Sequence, residues 1–416
     1  MGRLAVFAGG FPHTRLSRHR RILGMNPPVL RLLLAISLTL PCPLALTAAD
    51  SPPASPAVTK EREAATRLQV FLDRANFGPG KIDGRYGGFS EKALGLYREA
   101  HGLPPLPAAG APAKEEGQPD QPLPLPDLAD MDLASVKDVF IEYGVTEAEV
   151  KTTGELPKGV PELAELKWLP YATVAEAVAE KFHVDVDYLK ELNPGKLETL
   201  KAGDTLKVPN VVPFEVGGVK DLPLLDLIAI KQEEAAAEHE KAKKKQTADK
   251  KKDEPKGKDA KPAEEPQAAE DTPAQTALLT PEQISIKVDT KDNMLRLFEK
   301  EKLVAAYPVT IGSDQTESPL GEWKVKGIAR LPDFRYDLSF LKTGERSDKT
   351  YLLAPGPNDP VGVIWVALDK PGIGLHGTSD PDGIGRSASH GCVRLSNWDI
   401  VRLATHVRAG VVVSIH

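Results

Sequence analysis

Two stretches of this chain cannot bury a core, and they limit how everything between them can fold. Residues 106–130 are dominated by Pro, Ala and Gly, and residues 231–275 alternate blocks of Lys, Glu, Asp, Ala and Pro. Segments of this kind lack the apolar side chains needed to offset the entropy lost on ordering. They read as linkers, so the 416 residues are expected to form several separate folding segments. Within the second linker, Glu233 to Lys245 suits an exposed helix held by i,i+4 charge pairs. Its later part is interrupted by proline, and its charges nearly cancel, as in a solvated tether. A net charge of −6 with no basic stripe argues against general nucleic-acid binding.

The N-terminal residues 1–49 have the order of a secretory signal. Arg15, Arg18, Arg20, Arg21 and Arg31 form a basic leader, Leu32 to Leu46 an apolar stretch, and Thr47-Ala48-Ala49 a small-residue cleavage site. The apolar stretch is short for a membrane span. An exported chain is the expectation, with an uncleaved anchor as the alternative. Of two cysteines, Cys42 lies inside the signal, so the mature chain keeps Cys392 alone and has no disulfide framework. An unpaired thiol in an oxidising compartment is a liability unless it is buried or used.

Between signal and second linker lie two small modules. In residues 60–105, two amphipathic runs (around Leu68–Leu72 and Ala93–Ala100) flank the turn-rich loop Asn76 to Gly87, which predicts a helical hairpin. In residues 165–213, an alanine-rich helix through Lys181 and a second helix from Val184 to Leu192 are followed by Asn193-Pro194-Gly195. A turn at Lys201-Ala202-Gly203-Asp204 then leads into a short strand from Thr205 to Val208. That order is β-α-α-β. The stretch 131–157 has helical periodicity but no clear assignment.

The C-terminal segment, residues 283–416, reads as mostly β. Ile284–Val288, Leu295–Phe298, Leu303–Ile311 and Trp323–Val325 alternate, whereas Val363–Leu368 and Val411–Ile415 are continuously apolar, as buried strands are. Ser396 before Asn397-Trp398-Asp399 is a helix N-cap signal. A sandwich or small barrel with one late helix follows. This segment also carries the chemistry. Ser389-His390-Gly391-Cys392-Val393-Arg394 lies downstream of His376-Gly377-Thr378. A cysteine nucleophile acts as thiolate, and a nearby imidazole can take and return its proton. His376 and His390 are both candidates. Gly391 allows a tight backbone turn, and the N–H groups of Gly391 and Cys392 could receive an oxyanion. A lone cysteine is commonly a small core residue. A metal site needs further ligands that are not evident, and His-x-Cys is poor zinc spacing. From chemistry alone this is a Cys/His acyl-transfer site with no metal and no cofactor.

Three resemblances follow. Residues 60–105 resemble the type 1 peptidoglycan-binding domain, through Leu68-Gln69, Phe77-Gly78 and Ile82-Asp83-Gly84. Phe89-Ser90 and Tyr97-Arg98 depart from its usual pattern. Residues 165–213 resemble a LysM domain, through Asn193-Pro194 and the Gly203-Asp204 turn. Residues 283–416 are similar to the YkuD-type L,D-transpeptidase catalytic domain. That similarity rests on the His376 and Cys392 motifs, Val309-Thr310-Ile311-Gly312, Gly321-Glu322-Trp323 and Pro357-Asn358-Asp359-Pro360-Val361-Gly362. The implied whole is multidomain: a mainly β catalytic domain (sandwich or barrel) preceded by a small helical module and a β-α-α-β LysM-like module.

The last resemblance implies that Cys392 attacks a peptidoglycan stem peptide, releases D-alanine as a thioester forms, and passes the acyl group to an amine to make a 3-3 cross-link. His376 would be the base, its ring oriented by a backbone carbonyl such as that of Gly377. Ser389, His390 and Arg394 would shape the pocket. The implied partners are stem peptides and glycan strands in a periplasm or cell wall, with carbapenem-type β-lactams as inhibitors. Water as acceptor would make a carboxypeptidase. A protein lysine as acceptor would make a wall-anchored lipoprotein the partner. A non-catalytic wall-binding scaffold is the alternative of a different class.

Overall fold

The computed structural model describes residues 59–106, 123–225, 279–312, 318–339, 347–386 and 391–416. The expected signal at 1–49 and charged linker at 231–275 lie outside the described residues, as do Ser389 and His390. Among the described residues no helix is long and apolar enough to cross a membrane.

The N-terminal hairpin consists of α1 (Lys60–Arg74) and α2 (Gly88–Ala100). Thr59 caps α1, its hydroxyl accepting from the Arg62 N–H at 3.3 Å. Leu68, Leu72, Ala93 and Leu94 meet between the helices, fully buried. Gln69 ties the intervening loop to α1: its side chain donates to Asp83 Oδ1 at 2.9 Å and accepts the Gly84 N–H at 3.0 Å. Of the stretch expected to be a linker, residues 123–130 are not free of the fold. Leu123, Leu125 and Leu128 pack against this hairpin, and Arg98 is ion-paired with Asp130. The spaced leucines among the prolines supply apolar contacts that composition alone hides.

The second module pairs β1 (Phe140–Gly144) antiparallel with β2 (Thr205–Pro209). Between them come α3 (Glu147–Lys151), α4 (Val160–Leu163), α5 (Val174–Lys181) and α6 (Val186–Leu192). The first strand therefore lies upstream of the expected 165–213 boundary, in the stretch that carried helical periodicity. Tyr171 makes only an isolated bridge with Thr153. Local pattern could not find β1, because its partner β2 is far away in sequence. Asn193 joins α6 to β2: its side chain donates to Leu189 O and Lys207 O at 2.9 and 2.8 Å and accepts the Lys207 N–H at 2.7 Å.

The C-terminal domain is one eight-stranded sheet. Its strands are β3 (Ile284–Asp289), β4 (Met294–Glu299), β5 (Lys302–Pro308), β6 (Gly321–Arg330), β9 (Ile364–Leu368), β10 (Gly374–His376), β11 (Val393–Arg394) and β12 (Val412–Ile415). They are ordered β11-β10-β9-β6-β12-β3-β4-β5. A separate ribbon pairs β7 (Phe334–Tyr336) with β8 (Tyr351–Leu353). β6 bends the sheet. Residues 321–324 pair with β12, residues 325–330 pair with β9, and the register shifts between Val325 and Gly327. The two ends of the order then meet, because Thr310, just past β5, exchanges both backbone hydrogen bonds with Arg394 at 2.9 Å. The result is a curled, nearly closed sheet around a core of Ile286, Val288, Leu297, Val366, Leu375 and Val413. Helix α7 (Asn397–His406) packs on it, capped by the Ser396 hydroxyl, which accepts from the Asp399 N–H.

The three parts are joined by buried polar contacts rather than tethered loosely. Asp73 of α1 accepts from Arg402 of α7 at 2.8 and 3.1 Å and lies 2.9 Å from His183 Nδ1 of the second module. Asp73 and His183 are fully or almost fully buried, and the His183 ring stacks on Trp398. Burial alone would raise the Asp73 carboxyl; the Arg402 guanidinium and His183 outweigh it and hold it well below the usual carboxylate range. Removing one partner of such a pair strands a buried charge. Arg402→Met should therefore destabilise the full chain by about 3–5 kcal/mol in equilibrium denaturation.

A second junction uses Glu180 of α5, buried and bonded to the Tyr171 hydroxyl and to Asn397 Nδ2 at 2.9 Å. Burial pushes its carboxyl up to about 7, against the opposing pull of those two donors. A carboxyl whose folded value is raised binds its proton more tightly when folded. The stabilisation is complete below the unfolded value and is lost as pH rises through 7. Glu180→Gln should match wild-type stability at pH 5 and exceed it at pH 8.5, by up to about 3 kcal/mol. Thermal unfolding at the two pH values measures this.

Candidate active site

β10 and β11 run parallel, with Leu375 opposite Val393 and His376 opposite Arg394. Residues opposite one another share a face of the sheet, and Cys392, two positions before Arg394, shares it too. The fold thus brings His376, Cys392 and Arg394 to one surface. The Leu395 N–H donates to His376 O at 2.8 Å, and the Thr310 pairing holds Arg394 from the other side. Gly391 takes a φ of +106°, a conformation that side-chain-bearing residues rarely adopt, and so permits the sharp approach of the chain to Cys392.

His376 is buried. Its Nδ1 lies 2.6 Å from the Gly377 carbonyl oxygen. A carbonyl only accepts, so Nδ1 carries the proton and Nε2 has a free lone pair. The ring stacks on Trp365 of β9, with centroids 5.1 Å apart and planes within 14°. The imidazole is therefore fixed by backbone hydrogen bonding from Gly377 and Val361 and, on its face, by the indole. Gly377 must be glycine, because a Cβ there would lie 2.2 Å from Asn397 Oδ1. Asn397 Oδ1 also accepts the Val363 N–H at 3.1 Å.

Cys392 is half-buried, and its thiol points at the Gly372 carbonyl with Sγ at 3.6 Å. Burial raises the thiol above its ordinary value, opposed by the Gly374 backbone N–H and the positive charge of Arg394. Burial likewise lowers His376, to about 4, with Arg394 adding to it and the Gly377 carbonyl opposing it. At neutral pH the Cys392 thiol and the His376 imidazole, both within reach of the Arg394 charge, are uncharged, and the unprotonated ring nitrogen can accept a proton. Arg394 favours the thiolate and disfavours the imidazolium, so it acts on both partners. Its own Nε is buried and has no hydrogen-bond partner among the described residues.

Of the residues singled out in the sequence, His376, Gly377, Gly391, Cys392 and Arg394 are assembled here, while Ser389 and His390 lie outside the described residues. Sequence reasoning missed Trp365 and Asn397 as site components. Trp365 is an aromatic in an apolar strand, indistinguishable from core. Asn397 follows the N-cap Ser396 and reads as first-turn helix polarity. Among the described residues no group of three or more His, Cys, Asp or Glu is arranged to hold a metal.

Residues 283–415 match the family model of the L,D-transpeptidase catalytic domain, YkuD. A Bacillus licheniformis protein named L,D-transpeptidase YkuD is 33% identical over 130 residues, covering 31% of this chain and 64% of the relative. Its Bacillus subtilis namesake is 28% identical over 136 residues, covering 33% and 66%. A Salmonella typhimurium protein named L,D-transpeptidase ErfK/SrfK is 31% identical over 117 residues, covering 27% and 37%. The chain thus spans less than two thirds of each of these relatives. A solved structure of L,D-transpeptidase LdtMt1 in complex with imipenem overlaps 32% of this chain and 59% of that one, at 15% identity and a TM-score of 0.26. The family match and the named relatives support an acyl-transferring enzyme domain at the C-terminus.

Because the resting pair is neutral, Cys392 should alkylate with iodoacetamide at a rate that keeps rising beyond pH 9, with no step between pH 6 and 7. A plateau from pH 6 upward would reveal a preformed thiolate–imidazolium pair instead.

Proposed function

We propose that this protein is an exported peptidoglycan L,D-transpeptidase that forms 3-3 cross-links through a Cys392 thioester. The observation that carries the reading is the shared face of His376 and Cys392, with Nδ1 of the imidazole committed to the Gly377 carbonyl, inside a domain that matches the L,D-transpeptidase model.

A neutral resting pair supports the following order of events. As Sγ attacks the carbonyl between the third and fourth stem residues, His376 Nε2 takes the thiol proton. A proton is thus moved during attack rather than beforehand. Arg394 offsets the negative charge developing on sulfur and substrate, and the backbone at Gly391 and Cys392 offers N–H groups to the oxyanion. The imidazolium, held at a low pKa, readily returns its proton to the departing D-alanine amine. The acceptor amine then gives up a proton to Nε2 as it attacks the thioester; the C–S bond breaks, and the departing Cys392 thiolate takes that proton back, restoring the neutral pair. The hairpin and the β-α-α-β module, resembling wall-binding domains, would hold glycan or stem beside this face. The signal-like N-terminus would deliver the protein to the periplasm or wall, and carbapenems would acylate the same sulfur.

Incubation with purified tetrapeptide muropeptides should yield 3-3 dimers and free D-alanine by mass spectrometry. Cys392→Ala should yield neither, and His376→Gln should lose on the order of 10²–10⁴-fold. Tripeptides without dimers would reassign the acceptor to water, and dimers from Cys392→Ala would refute the reading.

A further inference from the structure

The catalytic histidine is linked, through the Asn397 side chain and the Gly377 backbone, to a carboxyl group from outside the catalytic domain. Glu180 Oε1, on α5 of the second module, accepts from Asn397 Nδ2 at 2.9 Å, and the same Nδ2 donates to Pro357 O at 3.2 Å. These bonds orient the Asn397 amide so that its Oδ1 takes the Val363 N–H and lies against the backbone of Gly362 and Gly377. A Cβ on either glycine would be 2.2 Å from that oxygen. Gly377 is in turn the residue whose carbonyl holds His376 Nδ1. The Tyr171 hydroxyl donates to the other Glu180 oxygen, so the carboxyl cannot rotate away without losing a bond. The same seam is stitched nearby: Leu169 N–H to Pro355 O at 2.9 Å, and Asn358 Nδ2 to Pro170 O and Glu176 Oε1 at 2.8 and 2.9 Å. The Gly356 backbone approaches Leu169 so closely that a Cβ would be 2.1 Å from its carbonyl oxygen. Loop 355–362, which leads into β9 beside the histidine, is thus shaped from outside the catalytic domain.

We propose that Glu180 is a positioning residue of the active site, acting through Asn397 and Gly377 to hold the His376 ring. The module around α5 is then a working part of the catalytic centre as well as any wall-binding element. This rests on the assignment of His376 as the base, but its readout does not require turnover.

The test uses the full chain and three variants, Glu180→Ala, Glu180→Asp and Glu180→Gln. Folding is checked by circular dichroism, and the His376 imidazole is followed by ¹⁵N NMR with acylation of Cys392 by a carbapenem. Gln keeps an acceptor toward Asn397 and should restore most of the wild-type rate, with an unchanged Nδ1–H signal. Asp withdraws its carboxyl by about 1.5 Å, and Ala removes it. In both, the Nδ1–H signal should shift or exchange faster, and acylation should fall on the order of 10–100-fold with little change in carbapenem binding. A folded Asp or Ala variant with wild-type imidazole signals and rate overturns the proposal. If Ala does not fold, Asp decides by the same criterion. A wild-type chain that resists acylation while its imidazole signals still respond to Glu180→Asp would sink the transpeptidase reading and leave the positioning role standing.

Discussion

The two backbone hydrogen bonds between Thr310 and Arg394 are the closure on which the C-terminal domain depends. β11 is only two residues long and pairs with a three-residue neighbour. Alone it would fray, since so short a ladder offsets little of the entropy of ordering. Held on one side by β10 and on the other by the chain leaving β5, it becomes a fixed shelf. Cys392 sits at the start of that shelf and Arg394 at its end. The curl imposed by the β6 register shift brings the far end of the sheet round to make the closure.

Inside this frame the site is tuned by burial more than by charge pairing. A buried imidazole and a half-buried thiol both favour their neutral forms, and Arg394, a cation acting on both, is itself partly desolvated. The arrangement keeps the sulfur protonated at rest, and a thiol is far less reactive than a thiolate. Orientation is supplied by neutral contacts: a backbone carbonyl at Nδ1, an indole face, and an asparagine wedged against two glycines. Each is insensitive to salt, unlike a surface ion pair.

Much of this was legible in the sequence because it is local. Alternating apolar residues marked the strands, and Ser396 caps α7 as its place before Asn397-Trp398-Asp399 predicts. The paired His and Cys motifs pointed to one site. What stayed hidden is nonlocal. β1 finds its partner β2 across four intervening helices. Leu123, Leu125 and Leu128 pack although proline surrounds them. Asn397 and Glu180 meet across a module boundary, and nothing in either neighbourhood distinguishes them from ordinary helix polarity. A glutamate facing outward on α5 looks like solvated surface until the surface it faces proves to be another module.

The loop between α1 and α2 does more than join two helices. Gly78 donates its N–H to Ala306 O at 2.7 Å, and Ala306 donates to Asn76 O at 3.0 Å, so residues 76–78 lie along the outer edge of β5 as a surrogate strand. An open edge of alternating apolar residues is a template for pairing with another chain. At Ala306 the N-terminal hairpin occupies the hydrogen-bonding positions that another strand would use. Cutting the protein at its low-complexity stretch to isolate the catalytic domain would bare that edge, and the fragment would be prone to self-association for reasons unrelated to its chemistry.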